Sequence, residues 1–282
     1  MTRPAERSHG YMEGVRRLRL HYRTCEVDQP QAALIVVHGL FEHGRRYEEF
    51  AGVMAGYGFS SYILDLRGHG ASEGRRGHVR SFSNFLQDLD RFRREVRGLV
   101  PVDLPVFLVA HSMGGLIGLR YLEEYDAPFQ GAVILSPWLG TAVDVPHWQV
   151  LAGNVLTRVL PAFPFRFRID PDRLTHDPER AADYHEDPLI HSTITPRLFV
   201  ETASAIELAL RQGDRIGVPA LFLLAGDDQV VDTERSLAFA RALPSPDITI
   251  DVLEGQYHEL LQERNRGAVM AEIRDWLQDH LD

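Results

Sequence analysis

Three residue types that together can perform acyl transfer occur at separate points of the chain, each just after a short apolar run. The first is Ser112 in FLVAHSMGGLIG (107–118), with Ala110 two positions before it and Gly114 two after. Small residues at both positions suit a sharp strand-to-helix turn, which presses the flanking backbone against its neighbours while the hydroxyl projects outward. Such a turn leaves the Met113 N–H at a helix N-terminus, where it can stabilise negative charge developing on an acyl oxygen. The bland alternative for Ser112 is a helix cap. A serine hydroxyl needs a base, and the base an orienting carboxylate. LLAGDDQVVD offers Asp227, Asp228 and Asp232, and EGQYHELL offers His258. The His-Gly turn in VVHGLFEHGRRY (36–47) supplies a further backbone donor, for which Leu40 N–H is the candidate. His38 is read as a brace for that loop, since the nearest histidine, His43, is five positions on and no HExxH motif exists.

These side chains can converge only if strands deliver them to one edge of a sheet. ALIVVHG (33–39), FSSYILDLRG (59–68), PVFLVAHS (105–112), GAVILSP (131–137), PALFLLAG (219–226) and DITIDVLEG (247–255) read as strands buried on both faces. Helical patterns lie between them at 45–58, 81–100, 114–125 and 232–244. This alternation predicts an α/β fold with a mostly parallel, doubly wound sheet and helices on both faces, whose sites assemble at the carboxyl edge. GVRRLRLHYRTCEV (14–27) suits an antiparallel edge hairpin, and Val269, Ile273, Trp276 and Leu277 mark a closing amphipathic helix. No buried-strand run appears from 138 to 215, which is read as an inserted helical cap. The expected organisation is a core over 1–137, a cap or lid subdomain over 138–215, and the rest of the core over 216–282.

The formal net charge of −10 leaves no broad basic face for a phosphate backbone, so nucleic acid is not an expected partner. Cys25 is the single cysteine, which excludes an intrachain disulfide and fits a reducing compartment. With no signal-like run and no segment of membrane-spanning length, the expected address is cytoplasmic.

The order Ser112, Asp228, His258 is that of an α/β-hydrolase. Taken together, HGLFEH, LDLRGHGASEG, HSMGG, DDQVVD and YHEL resemble the monoacylglycerol lipase and lysophospholipase family of α/β-hydrolases over nearly the whole chain. The resemblance implies Ser112 as nucleophile, His258 as general base, Asp228 as its acid, and Leu40 and Met113 at the oxyanion positions. It also implies that the inserted cap bears an acyl-chain tunnel, returning to the core at DPLIH (187–191). The chain departs from the family pattern at Ala110, where glycine is usual, and at Phe41 and Gly44, where smaller and serine-like residues are common. Asp65, Arg67 and His69 are expected to form a local polar network, and His111 to pack beside the turn.

The expected activity is hydrolysis of a lipid carboxylic ester through an acyl-serine, with monoacylglycerol as substrate. Lysophospholipid or a generic carboxylester is the alternative, and a non-catalytic receptor on a hydrolase scaffold is the alternative of another class. No cofactor or metal is required. Phe41, Phe163 and Phe165 are expected to bind substrate. Phe163, Phe165 and Phe167, in LPAFPFRFRI, are read as part of a cap lining its own acyl pocket, with transient contact with a membrane surface as the alternative.

Overall fold

Residues 5–126, 129–142 and 156–281 are described in the structure, a computed structural model. Of the expected cap, 138–215, residues 143–155 lie outside the described residues. In β3 (Ala32–Val37) the period-two alternation divides one buried strand between two cores. Ala33, Ile35 and Val37 join the cluster on one face, and Ala32, Leu34 and Val36 the cluster on the other. The same logic holds for β4 (Phe59–Leu64), β5 (Val106–His111), β6 (Gly131–Leu135) and β9 (Ala220–Ala225), all fully buried. On one face pack α2 (Ser83–Leu99) and α3 (Met113–Glu124), and on the other α1 (Glu48–Ala55).

Two strands differ from expectation at the sheet's margins. The edge hairpin is longer than the sequence pattern suggested, because β1 (Glu6–Glu13) pairs along its whole length with β2 (Arg19–Glu26). Its polar, mostly exposed residues carry no apolar signature. At the other edge β10 (Ile248–Leu253) is only half-buried, since a single neighbour, β9, covers it. The sheet runs β1-β2-β4-β3-β5-β6-β9-β10, parallel from β4 onward, with β2 antiparallel to β4.

Between β6 and β9 the described chain is not purely helical. A two-stranded hairpin, β7 (Phe165–Arg166) with β8 (Thr193–Ile194), brackets α4 (Pro178–Glu186). Then α5 (Pro196–Gln212) packs against α3, and its Leu198, Ala205 and Ala209 join the core cluster. We therefore propose that the cap proper ends at Thr195, whose N–H and hydroxyl both bond the Gly77 carbonyl. Gly77, at φ +61°, permits this approach, since a Cβ there would lie 1.8 Å from the Thr193 oxygen. The chain closes with α6 (Thr233–Arg241) and α7 (Arg266–Asp279); α7 buries Val269, Ile273, Trp276 and Leu277. Among the described residues no helix is long and apolar enough to cross a membrane.

Candidate active site

Ser112 joins β5 to α3 at φ +53°, ψ −118°, outside the regions an L-residue ordinarily occupies. Three backbone hydrogen bonds hold it there: its N–H donates to Leu135, and its carbonyl accepts from Leu116 and Trp138, all at 3.0 Å. Gly114 is required, because a Cβ at that position would stand 2.3 Å from the Val37 carbonyl oxygen. At Ala110 the family's glycine is dispensable because the opposing residue is itself a glycine. The Ala110 methyl lies 3.3 Å from where a Gly118 Cβ would be, so Gly118 leaves it room.

His258 follows β10 and reaches back to β5. Its Nδ1 is 2.7 Å from Asp228 Oδ2 and its Nε2 is 2.9 Å from Ser112 Oγ. Nδ1–H donates to the carboxylate, leaving the Nε2 lone pair to accept the serine hydroxyl. Asp228 Oδ1 accepts from the N–H groups of Val230 and Val231, at 2.8 and 2.9 Å. Of the three aspartates after β9, only Asp228 faces the imidazole; Asp232 instead caps α6 through the Arg235 N–H. Burial would raise the Asp228 carboxyl, but His258 and the two amides hold it below its ordinary value. Burial would likewise lower the His258 imidazole, yet Asp228 outweighs it and the ring lies above its ordinary value.

The loop facing Ser112 is set by His38, fully buried. Its Nε2 accepts the Leu66 N–H at 3.0 Å, so Nδ1 carries the proton and donates to the Gly39 carbonyl at 2.7 Å. Burial lowers the His38 imidazole and keeps it neutral, as that double role demands. In a trans peptide C=O and N–H point opposite ways, so the Leu40 N–H is turned away from the His38 ring. Gly39 and Leu40 line one cleft with Ser112, and Met113 begins α3 beside it.

That cleft, of about 100 Å³, has walls of Leu40, Trp138, Phe167, Ile169, Leu174 and Val230. A chamber of about 380 Å³ adjoins it, sharing Phe167, Ile169 and Tyr184. Of the expected substrate contacts, Phe41 is buried and lines the chamber rather than the cleft, its ring set against Phe167 and His191. Phe163 and Phe165 line neither; they are 49% and 42% exposed and pack on each other. Phe167, although 56% exposed, lines both the cleft and the chamber. The sequence reading also missed Glu42, Tyr184 and Glu259, although Glu42 sits inside HGLFEH and Glu259 directly follows His258. His111 lies beside the turn as expected, with Nδ1 3.1 Å from Glu42 Oε1 and Nε2 3.2 Å from the His258 carbonyl. Asp65 accepts from His21 and from the Gly44 and Ala71 N–H groups, while Arg67 pairs with Asp88. Among the described residues no group of three or more His, Cys, Asp or Glu side chains is placed to hold a metal.

A hydroxyl, an imidazole and a carboxylate in hydrogen-bonded series, on a strained turn at the carboxyl edge of such a sheet, can carry out acyl transfer through a covalent intermediate. Residues 28–265 match the family described as serine aminopeptidase, S33. The chain belongs to this family of α/β-hydrolases. It is 29% identical over 280 residues to the monoacylglycerol lipase of Mycolicibacterium smegmatis, covering 98% of both chains. It is 32% identical to the monoglyceride lipase of Rattus norvegicus, covering 88% of this chain and 82% of that one. The crystal structure of Paleococcus ferrophilus monoacylglycerol lipase superposes with a TM-score of 0.84 at 31% identity, over 93% of this chain and 99% of that one. The hydrolase thus has the fold that its strand and helix pattern predicted, and the resemblance to lipases of this family holds along nearly its full length.

Proposed function

We propose that this hydrolase cleaves monoacylglycerol to fatty acid and glycerol through an acyl-Ser112 intermediate. The observation that carries the reading is the Asp228–His258–Ser112 series, which opens into a cleft with apolar walls. His258 Nε2 takes the Ser112 proton as Oγ adds to the ester carbonyl carbon. The N–H groups of Leu40 and Met113 hold the resulting oxyanion, and Asp228 stabilises the imidazolium. Collapse breaks the bond to the glycerol oxygen, which leaves with the proton from His258. Water, deprotonated by the same imidazole, then releases the fatty acid and restores Ser112. Each methylene of the acyl chain that leaves water for apolar walls contributes about 0.8 kcal/mol, which favours longer chains.

The test is fluorophosphonate labelling together with rates across acyl lengths from acetyl to oleoyl, with an aminoacyl amide in the same panel. Ser112→Ala is expected to abolish labelling and to cost on the order of a million-fold in turnover. Wild-type activity in that variant would overturn the mechanism, and a strict preference for acetyl esters would overturn the lipid reading. A receptor would show neither labelling nor turnover.

We also propose transient contact with a membrane surface through the cap rim. Phe163, Phe165 and Phe167, with Val159 and Leu160, are exposed there beside Arg158, Arg166 and Arg168. Liposome flotation checks it, and absence of binding removes it.

A further inference from the structure

We propose that Glu259 selects the head group of the substrate, admitting a neutral hydroxylated head and rejecting a phosphate-bearing one. The inference rests on the ester-hydrolase reading above and deepens it. The leaving oxygen must stand at His258 Nε2 to receive its proton, so the head group occupies the His258 side of the cleft. Glu259 is the next residue, lines the same cleft and is 6% exposed.

Only half of that carboxylate is used. Oε2 pairs with Arg46, while Oε1 has no hydrogen-bond partner among the described residues and is not fully buried. Arg46 cannot neutralise it fully, because the same guanidinium also meets Glu42 at 3.3 Å and lies over the Tyr184 ring. Among the described residues no arginine or lysine lines the cleft. The lining of the adjoining chamber includes one arginine, Arg168, and two aspartates, Asp170 and Asp187. A glycerol hydroxyl can therefore donate to Glu259 Oε1. A phosphate would meet like charge in a half-dry site that, among the described residues, offers it no arginine or lysine, an arrangement that enforces discrimination by repulsion. Burial pushes the Glu259 carboxyl up, with Arg46 opposing, so the comparison belongs at about pH 8.

The experiment compares decanoylglycerol with decanoylglycerol phosphate, below their aggregation concentrations, with p-nitrophenyl decanoate as the ester lacking a polyol head. Wild-type enzyme is expected to prefer the neutral substrate by about 100-fold in kcat/KM. Glu259→Gln is expected to narrow that ratio at least about tenfold, mainly through KM for the phosphate, and Glu259→Asp to preserve the preference. Raised ionic strength should narrow the wild-type ratio, which provides a reading independent of any variant's folding. Equal wild-type rates on the two glycerol esters, or a wild-type ratio indifferent to salt, would overturn the proposal. So would a ratio unchanged in a folded Glu259→Gln enzyme. Failure of the ester-hydrolase reading would look different: no turnover of decanoylglycerol or of p-nitrophenyl decanoate by the wild-type protein.

Discussion

Asp228→Asn is the sharpest perturbation of the proposed mechanism, because the surroundings of Asp228 dictate how the amide must lie. In the wild type Oδ1 accepts two backbone N–H groups, from Val230 and Val231, while Oδ2 faces His258 Nδ1. Asparagine can satisfy the two amides only by placing its carbonyl oxygen on their side, which turns its NH₂ toward His258. Flipping the amide would instead set a donor against two N–H donors, at about 1–3 kcal/mol for each group left unpaired. The NH₂ therefore faces Nδ1 and forces it to become an acceptor. The ring proton moves to Nε2, where it points at Ser112 Oγ and can no longer receive the serine proton. Loss of the base in this way costs about 10⁴ in kcat, or about 5.5 kcal/mol of barrier. The assay is steady-state hydrolysis of a p-nitrophenyl ester, with thermal unfolding as a control for fold. A folded Asp228→Asn enzyme that kept a tenth or more of wild-type turnover would refute the tautomer argument.

The remaining expectations concern titration, packing and stability. Because Asp228 raises the His258 imidazole, and the base works only when neutral, kcat/KM should climb with pH through a midpoint above 6.5 and fall tenfold per unit below it; a midpoint below 6.5 in a pH–rate profile would contradict this. Ala110→Gly should keep fluorophosphonate labelling within about twofold of wild type and lower stability by about 0.5–1 kcal/mol, since it removes a methyl that Gly118 accommodates. Gly114→Ala should abolish labelling, because the new methyl collides with two backbone carbonyls at the turn. Arg67→Met should lower stability by about 3–5 kcal/mol in urea unfolding, since it leaves the buried Asp88 carboxylate without its cation and frees the Val15 carbonyl beneath the edge hairpin.

Much of this protein was legible in one dimension because the information is local. A strand buried on both faces must be apolar throughout, and a strained strand-to-helix turn tolerates only small neighbours, so β3, β5, β9 and the surroundings of Ser112 announce themselves. The placement of Ser112, the aspartates and His258 just after strands followed from the same local grammar, and parallel topology carries all strand ends to one edge. The margins were less legible. Burial of β10 depends on how many neighbours it has, and pairing of the polar β1 depends on a partner strand rather than on its own pattern.

Selection among equivalent residues belonged to the tertiary structure. Three aspartates follow β9; the family resemblance singled out Asp228, and the path of the loop is the physical reason that it meets the ring while Asp232 caps a helix. Three phenylalanines alternate in one short segment. All three are exposed, but only Phe167, packed on Phe41, also lines the cleft. Glu42, Tyr184 and Glu259 reach the same cleft from three distant segments, and the two carboxylates meet Arg46 and His111, of which only the Glu42–Arg46 pair has a spacing visible in the sequence. Chemistry of the bond being broken needs a few groups at short range and fixed geometry, which local sequence can encode. Recognition of the rest of the substrate is a sum over surfaces assembled from remote parts of the chain, and only folding brings those surfaces together.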